Sequence, residues 1–270
     1  MDSIEQQITA LINHRNSATI QVQTLGIFQV WCDGELIPNK NWGREATLQL
    51  FQYLVTSRHR GSLRKEQIID RIWEDLDGKA GAQNFKVALH GLNKTLEPNR
   101  PTRTEPKYVL RQGVSYQLNL SDIWIDVDAV ENFIALGNQS FATHPELAEK
   151  AYREALALHQ GGYLPNRLYE DWSSEERENI QVLTLGAMVT LGELLLESNP
   201  MESIRLSQQA IQIDHTWEDA YRVQMAAYFQ KGNRPQAIKT YQKCKTVLDE
   251  EFGIDPLPET KKLLERIKSE

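Results

Sequence analysis

The chain has 270 residues, 40% hydrophobic and 25% charged, with 37 acidic against 30 basic residues and a net charge of −7. That length suits about two domains of roughly 100–200 residues, and no apolar run approaches the ~20 residues of a membrane-spanning helix. The opening Met1-Asp2-Ser3-Ile4-Glu5 lacks the basic and apolar regions of a signal peptide, and the two distant cysteines, Cys32 and Cys244, fit a reducing compartment; a cytoplasmic protein with no membrane partner is expected.

Residues 4–12 place Ile4, Ile8, Leu11 and Ile12 on one helical face, and 13–19 read as a polar break. Residues 1–19 therefore form an N-terminal extension. Ile20 to Pro38 alternates in the manner of strands around Asp33-Gly34, a strong hairpin signal. A helical period follows over 45–56, with Ala46, Leu48, Leu50, Phe51, Leu54 and Val55. Gly61-Ser62 breaks it, and Ser62 is placed to cap a helix over 64–74 that carries Ile68, Ile69, Ile72 and Trp73. Asp77-Gly78 is expected to end that helix. A third helix, about 81–96, turns Phe85, Ala88, Leu89, Leu92 and Leu96 to a core. Its other face carries Gln83, Lys86, Val87, His90 and Lys94. Strands at 108–110 and 115–120 flank Gln112-Gly113.

Charge is unevenly distributed. Residues 1–120 hold 15 basic and 12 acidic residues, and residues 121–270 hold 15 and 25. Within 79–111, seven basic residues (Lys79, Lys86, Lys94, Arg100, Arg103, Lys107, Arg111) face only Glu97 and Glu105. A helix followed by a basic hairpin is how a winged-helix protein holds a duplex, with the helix in the major groove and the hairpin on the backbone. A basic half joined to an acidic half suggests a nucleic-acid module with an attached partner module.

From Ile125 the chain reads as almost wholly helical and repetitive. Ala148/Tyr152/Ala155, Ser203/Ser207/Ala210 and Ala237/Tyr241/Cys244 share a small–bulky–small rhythm in whole or part, and the last two sets lie 34 residues apart. That period is expected of tetratricopeptide helix pairs, in which small residues let helices approach. Pro145, Pro200 and Pro235 stand just ahead of helices. Gly161-Gly162-Tyr163-Leu164-Pro165 interrupts the period and reads as a turn to the next layer. The fold class is mainly α with a small β component: a winged helix-turn-helix domain over 20–120 and an all-α repeat domain over 121–270.

No catalytic, metal or cofactor constellation emerges. Glu170-Asp171 and Glu175-Glu176-Arg177-Glu178 read as part of a regular helical repeat. Histidines 14, 59, 90, 144, 159 and 215 form no i, i+4 pair, and CxxC, Walker A and GxSxG patterns are absent. Trp124, Trp172 and Trp217 read as packing residues. An enzyme is not expected.

Residues 20–120 resemble the winged-helix output domain of OmpR/PhoB-type regulators. The resemblance rests on the apolar helix 46–55, Leu63-x2-Glu66-x2-Ile69-x2-Ile72-Trp73, Asn84-x3-Ala88-x2-Gly91-Leu92-x3-Leu96-Glu97-Pro98 and Gly113-x2-Tyr116-x-Leu118. Residues 125–258 resemble the bacterial transcriptional activation domain through Asp126-Val127-Asp128-Ala129-Val130, the 161–165 turn, Tyr169-Glu170-Asp171-Trp172, Glu175-Glu176-Arg177, Ala220-Tyr221-Arg222, Ala237-Ile238-x2-Tyr241-x2-Cys244 and Glu251-Phe252-Gly253-Ile254-x-Pro256-x-Pro258. The pairing in this order is that of SARP-type transcriptional regulators.

The resemblance implies an activator that binds repeated promoter half-sites as a homodimer, with double-stranded DNA and RNA polymerase as partners. It places the third helix in the major groove. There Gln83 and Asn84 would reach adenine edges or phosphate, Lys86 a guanine or phosphate, and Val87 a thymine methyl, while His90 and Lys94 would contact bases or backbone. Lys107, Arg111 and Gln112 are wing candidates for phosphate or minor groove. Arg44, Arg64 and Lys65 stand at helix starts suited to phosphate. The helical repeats offer a surface for a small-molecule or protein ligand. His90-Gly91-Leu92-Asn93-Lys94 departs from the families, whose recognition helices often carry two or three late arginines, the strongest bidentate readers of guanine. A protein- or ligand-binding scaffold with weakened DNA readout is the alternative.

Overall fold

The structure, a computed structural model, describes residues 3–270; Met1 and Asp2 of the N-terminal extension lie outside the described residues. The chain divides into two compact units. One comprises Thr9–Ala129 and Gln160–Asn179, and the other comprises the residues up to Ile8, Val130–His159 and Ile180–Glu270.

Helix α1 spans Ile4–Ser17, longer at its C-terminal end than the sequence pattern predicts. The added turn has a physical reason: Gln21 Nε2 donates to the Arg15 carbonyl at 2.8 Å, and the Arg15 guanidinium lies 5.0 Å from the centroid of the Trp124 ring. Strands β1 (Ile20–Gln23), β2 (Gln29–Cys32) and β3 (Glu35–Leu36) form an antiparallel meander. The β2–β3 turn falls on Asp33 and Gly34, at φ 50° and 78°, the positive pair that a tight hairpin requires.

Helix α2 (Glu45–Thr56) buries Leu50, Phe51, Leu54 and Val55, with the Trp42 ring stacked on Phe51 at 5.4 Å. The short strand β4 (Leu63–Arg64) leads into α3 (Lys65–Ile72). Arg64, not Ser62, is the N-cap residue of α3, and its backbone N–H donates to the Gln67 side chain at 3.0 Å. Asp77 likewise begins a helix instead of ending one. It caps α4 (Gly78–Leu96) by accepting from the backbone N–H groups of Lys79 and Ala80. Strands β5 (Val109–Gln112) and β6 (Ser115–Leu118) close a second sheet in the order β4-β6-β5.

Strand β7 (Ile123–Ile125) pairs in parallel with β1, Ile20 facing Ile123 and Val22 facing Ile125, and completes the first sheet as β3-β2-β1-β7. Its wholly buried Ile-Trp-Ile run is the pattern of a strand covered on both faces. Asp126 follows, the first residue of α5 (Asp126–Ser140). Its carboxylate is buried and accepts from the Thr24 N–H and hydroxyl and from the N–H groups of Leu25 and Val127, all between 2.6 and 2.9 Å.

The segment 160–179 is not a turn to the next helical layer. It packs within the same unit as α2. Leu164 N–H donates to the Thr24 carbonyl at 2.9 Å, Leu25 bridges Tyr163, and the Tyr163 hydroxyl lies 2.8 Å from Thr56 Oγ1. Arg167 donates through Nε to Gln52 at 2.6 Å and pairs with Glu45, and Trp172 meets Tyr53 edge to face at 5.6 Å. Arg58, with a fully buried side chain, pairs with Asp128 at 2.5 Å and Glu176 at 2.7 Å. The Glu176 contact is ionic, without the alignment of a hydrogen bond. Burial opposes the Arg58 charge, but the two carboxylates outweigh it and hold its pKa above the ordinary range. Glu170 accepts from Gln49 Nε2 at 3.1 Å and from Trp172 Nε1 at 2.9 Å, so its carboxylate and that of Glu176 are structural partners within this unit rather than part of a solvated repeat face.

The other unit holds α6 (Pro145–Leu158) and, after the segment 160–179, α7 (Ser174–Leu194, from Ile180 on), α8 (Pro200–Ile213), α9 (Glu218–Gln230), α10 (Arg234–Phe252) and α11 (Pro258–Ser269), the last five joined by short connections. Pro145, Pro200 and Pro258 open their helices, and Pro235 follows the first residue of α10. The small–bulky–small rhythm is the buried seam. Ala148, Tyr152, Ala155, Ser203, Ser207, Ala210, Ala237 and Cys244 have no exposed surface. A side chain at Gly137 would strike the Tyr152 ring at 2.6 Å, so the bulky residue of α6 fills the space that glycine leaves on α5. Ser207, placed where a bulky residue is expected, turns its hydroxyl to the Ile204 carbonyl at 2.9 Å.

Candidate nucleic-acid interface

Helix α4 is held on one side and open on the other. Phe85, Ala88, Leu92 and Leu96 are buried, and burying each large side chain is worth about 1.5–3 kcal/mol. Phe85 meets Tyr116 of β6 edge to face at 5.0 Å, which ties the helix to the wing. Two glycines set its closeness to the neighbouring helices. A Cβ on Gly81 would meet Ile69 of α3 at 2.5 Å, and one on Gly91 would meet the Thr47 hydroxyl of α2 at 2.7 Å. Gly91 is thus a packing residue turned to α2, and Asn93 is buried. The departure seen at 91 and 93 falls on the inner side of the helix. Glu97, the C-cap residue, accepts the Lys107 N–H at 2.9 Å and so links the helix end to the start of β5.

The open side carries Gln83, Lys86, His90 and Lys94, all exposed and three or four residues apart, so they form one stripe. Asn84 and Val87 border it and are half-buried. Lys79, exposed one turn before Gln83, extends the stripe toward the N-terminus; its i, i+4, i+7 spacing with Gln83 and Lys86 is the signal that would have added it. The 19 residues of α4 include no Asp or Glu, while the Asp77 carboxylate at its N-cap offsets the partial positive charge of the helix N-terminus.

The hairpin turn at Gly113-Val114 is the tip of the wing. Arg111 and Gln112 lie next to it and are exposed. Arg111 Nε donates to the Gly113 carbonyl at 2.8 Å, and its guanidinium lies 5.9 Å from the Tyr116 ring centroid, so the side chain is held at the tip. Gln112 and Arg64 both pair with Ser115 in the sheet register, and Lys65 N–H donates to the Val114 carbonyl at 2.9 Å. Arg64, Lys65, Arg111 and Gln112 are thereby brought together at one end of the sheet; the Lys65 ammonium also lies 3.4 Å from Glu66.

Lys107 is elsewhere. It precedes β5 at the open end of the hairpin, where its ammonium lies 2.5 Å from Asp122. The hydrogen bond to Asp122 raises the Lys107 pKa, and hydrogen bonds from Lys107 and Thr19 hold Asp122 down to about 2. Arg44 is exposed at the N-cap of α2, apart from the wing tip.

Residues 125–268 match the model of the bacterial transcriptional activator domain. The chain belongs to the bacterial transcriptional activator domain family. The SARP-type resemblance read from the sequence is borne out. The fold is similar to that of Mycobacterium tuberculosis EmbR, solved in complex with a low-affinity phosphopeptide: 20% identity, a TM-score of 0.81, and coverage of 94% of this chain. The chain spans 65% of the length of that EmbR chain. The yeast Sti1 TPR2AB domain in complex with pHSP90 is matched at 13% identity over 84% of this chain and 99% of that one, with a TM-score of 0.29. No curated protein matches the sequence at a significant level. Among the described residues of this activator-family chain, no helix is long and apolar enough to cross a membrane.

Proposed function

We propose that this chain is a sequence-specific DNA-binding transcription activator of the cytoplasm. In this reading residues 20–120 bind DNA, residues 121–270 form the activation domain, and residues 1–19 are an extension. Helix α4 enters the major groove with Gln83, Asn84, Lys86, Val87, His90 and Lys94 toward the bases, and Arg111, Gln112, Arg64 and Lys65 hold phosphates at the wing end, with Arg44 on the flanking backbone. Lys107, already neutralised by Asp122, contributes less than its charge suggests. Two copies bind repeated half-sites, and the activation domain touches RNA polymerase and carries a ligand surface. No enzymatic step is assigned.

The observation that carries the reading is the carboxylate-free, exposed stripe of α4 beside a basic wing tip. A duplex presents one phosphate charge per ~1.7 Å of helix axis, so such a surface gains affinity from counterion release. The test is selection of bound duplexes from a random pool by the full chain at near-physiological salt. Recovery of a motif with two half-sites about one helical turn apart is expected; a pool with no enriched motif refutes base readout. The lack of arginine on α4 favours the second reading, a scaffold with weakened DNA readout, and that reading gains if retained duplexes show no motif.

A further inference from the structure

Trp73 closes α3. Its backbone N–H donates to the Ile69 carbonyl at 2.8 Å, and its own carbonyl accepts the Leu76 N–H at 3.0 Å. It is therefore the pivot from which the chain turns to Asp77, the N-cap of α4. The rest of that turn is open: Glu74, Asp75 and Leu76 are exposed. Trp73 itself is half-buried, and its indole N–H donates to Gln49 Oε1 on α2 at 3.0 Å. The other end of the Gln49 amide is engaged too, Nε2 donating to Glu170 Oε1 at 3.1 Å. The Glu170 carboxylate is held in turn: the buried Trp172 donates to its Oε2 at 2.9 Å, and Arg167 Nη1 lies 3.9 Å from its Oε1.

The relay has one direction. A carboxylate only accepts, so Gln49 must turn its Nε2 to Glu170 and its Oε1 to Trp73. Without the carboxylate the Gln49 amide is free to flip and set an N–H against the indole N–H. Glu170 thus fixes, from two hydrogen bonds away, the acceptor that holds the pivot ahead of α4. All four residues lie in one compact unit with α2, α3 and α4, although Glu170 and Trp172 fall inside the match of residues 125–268 to the activator domain. The sequence of the activator domain therefore supplies a side-chain anchor to the helices of the candidate nucleic-acid interface.

We propose that Glu170 is a positioning residue for DNA reading: through Gln49 and Trp73 it sets the turn from which α4 enters the groove. The proposal rests on the reading that α4 binds DNA. The test is titration of a fluorescein-labelled duplex, taken from the pool that the full chain retains, at a temperature where thermal unfolding shows each variant folded. Electrostatics alone would have Glu170→Ala bind a duplex more tightly, since a negative charge is removed. The relay gives the opposite sign: affinity about tenfold weaker, with the salt slope unchanged because no phosphate contact is lost. Trp73→Phe, which keeps a ring without the donor, is expected to weaken binding similarly, and both changes together no more than either alone. Gln49→Glu sets two carboxylates against each other and weakens binding. Gln49→Glu/Glu170→Gln restores each hydrogen bond of the relay, with the donor between positions 49 and 170 reversed, and is expected to bind within about twofold of the parent. Glu170→Ala binding as tightly as the parent, additive losses, or an exchanged pair as weak as Gln49→Glu overturns the proposal alone. A parent chain that retains no duplex overturns the DNA reading itself, and the positioning role with it.

Discussion

Helices α4 and α10 are both 19 residues long and do opposite things with that length. Helix α4 buries large side chains, Phe85, Leu92 and Leu96, and leaves a full polar stripe without a single carboxylate outside. Helix α10 buries mostly small ones, Ala237, Thr240 and Cys244, with Leu248 beside them, and carries Asp249, Glu250 and Glu251 toward its end. Large inward residues give a helix a firm seat while its outer face stays open. Small inward residues let a helix lie close to its pair, which is what a repeat needs. The difference shows that what a helix buries determines whether it presents a surface or builds a stack.

The sharpest way to break the comparison is to exchange the two packing styles. Leu92→Ala on α4 should cost about 2–5 kcal/mol through a cavity, read as a lower urea midpoint. Ala237→Leu on α10 should cost about 1–3 kcal/mol through overpacking. A neutral Ala237→Leu would mean that the repeat seam does not require small residues.

The outer stripe comes next. Lys86→Ala should lose about 1–3 kcal/mol of discrimination at one base position of the selected duplex. Arg111→Ala should weaken all duplexes evenly and flatten the salt slope by about 0.9. Lys107→Ala should flatten it by less, because Asp122 already holds that charge; equal slopes for the two variants would remove the distinction between wing tip and hairpin base.

Gly91 sharpens the comparison in sign. Alanine in place of glycine in a helix ordinarily gains about 1 kcal/mol. Here the new Cβ would meet the Thr47 hydroxyl at 2.7 Å, so Gly91→Ala should destabilise. Adding Thr47→Ala should restore the ordinary gain, measured as a double-mutant cycle in urea.

The smallest effect is one of pH. Asp122 stands near 2 in the folded chain against an ordinary 3.8. A lowered carboxylate pKa stabilises the fold fully above the ordinary value, and the contribution disappears as pH falls from about 4 through about 2. The pair is partly exposed, so the effect should stay under about 1 kcal/mol. Acid unfolding of Lys107→Ala and the parent chain should differ near neutral pH and converge toward pH 2; a constant difference would remove the Asp122 linkage.

Much of the molecule was legible because its signals are local. The Asp33-Gly34 turn, the two faces of α4 and the small–bulky–small seam of the repeats are periodicities within a few residues, and one chain suffices to read them. The candidate stripe was legible for the same reason, except Lys79, which the predicted helix start left out. The helix caps at Arg64 and Asp77 were misread because several polar residues near each break could serve as a cap, and backbone geometry selects among them. The parallel pairing of β1 with β7 joins residues about a hundred positions apart. The packing of 160–179 around Arg58, Gln52 and Tyr53 does the same, and the contact of Gly91 with Thr47 and the Lys107–Asp122 pair join residues 44 and 15 positions apart. The sequence alone determined the main helices, the two hairpins and which faces of α4 turn inward, but not the short strands β4 and β7. Only the tertiary structure decided which distant partners meet, because a contact between remote residues leaves no period in the chain that makes it.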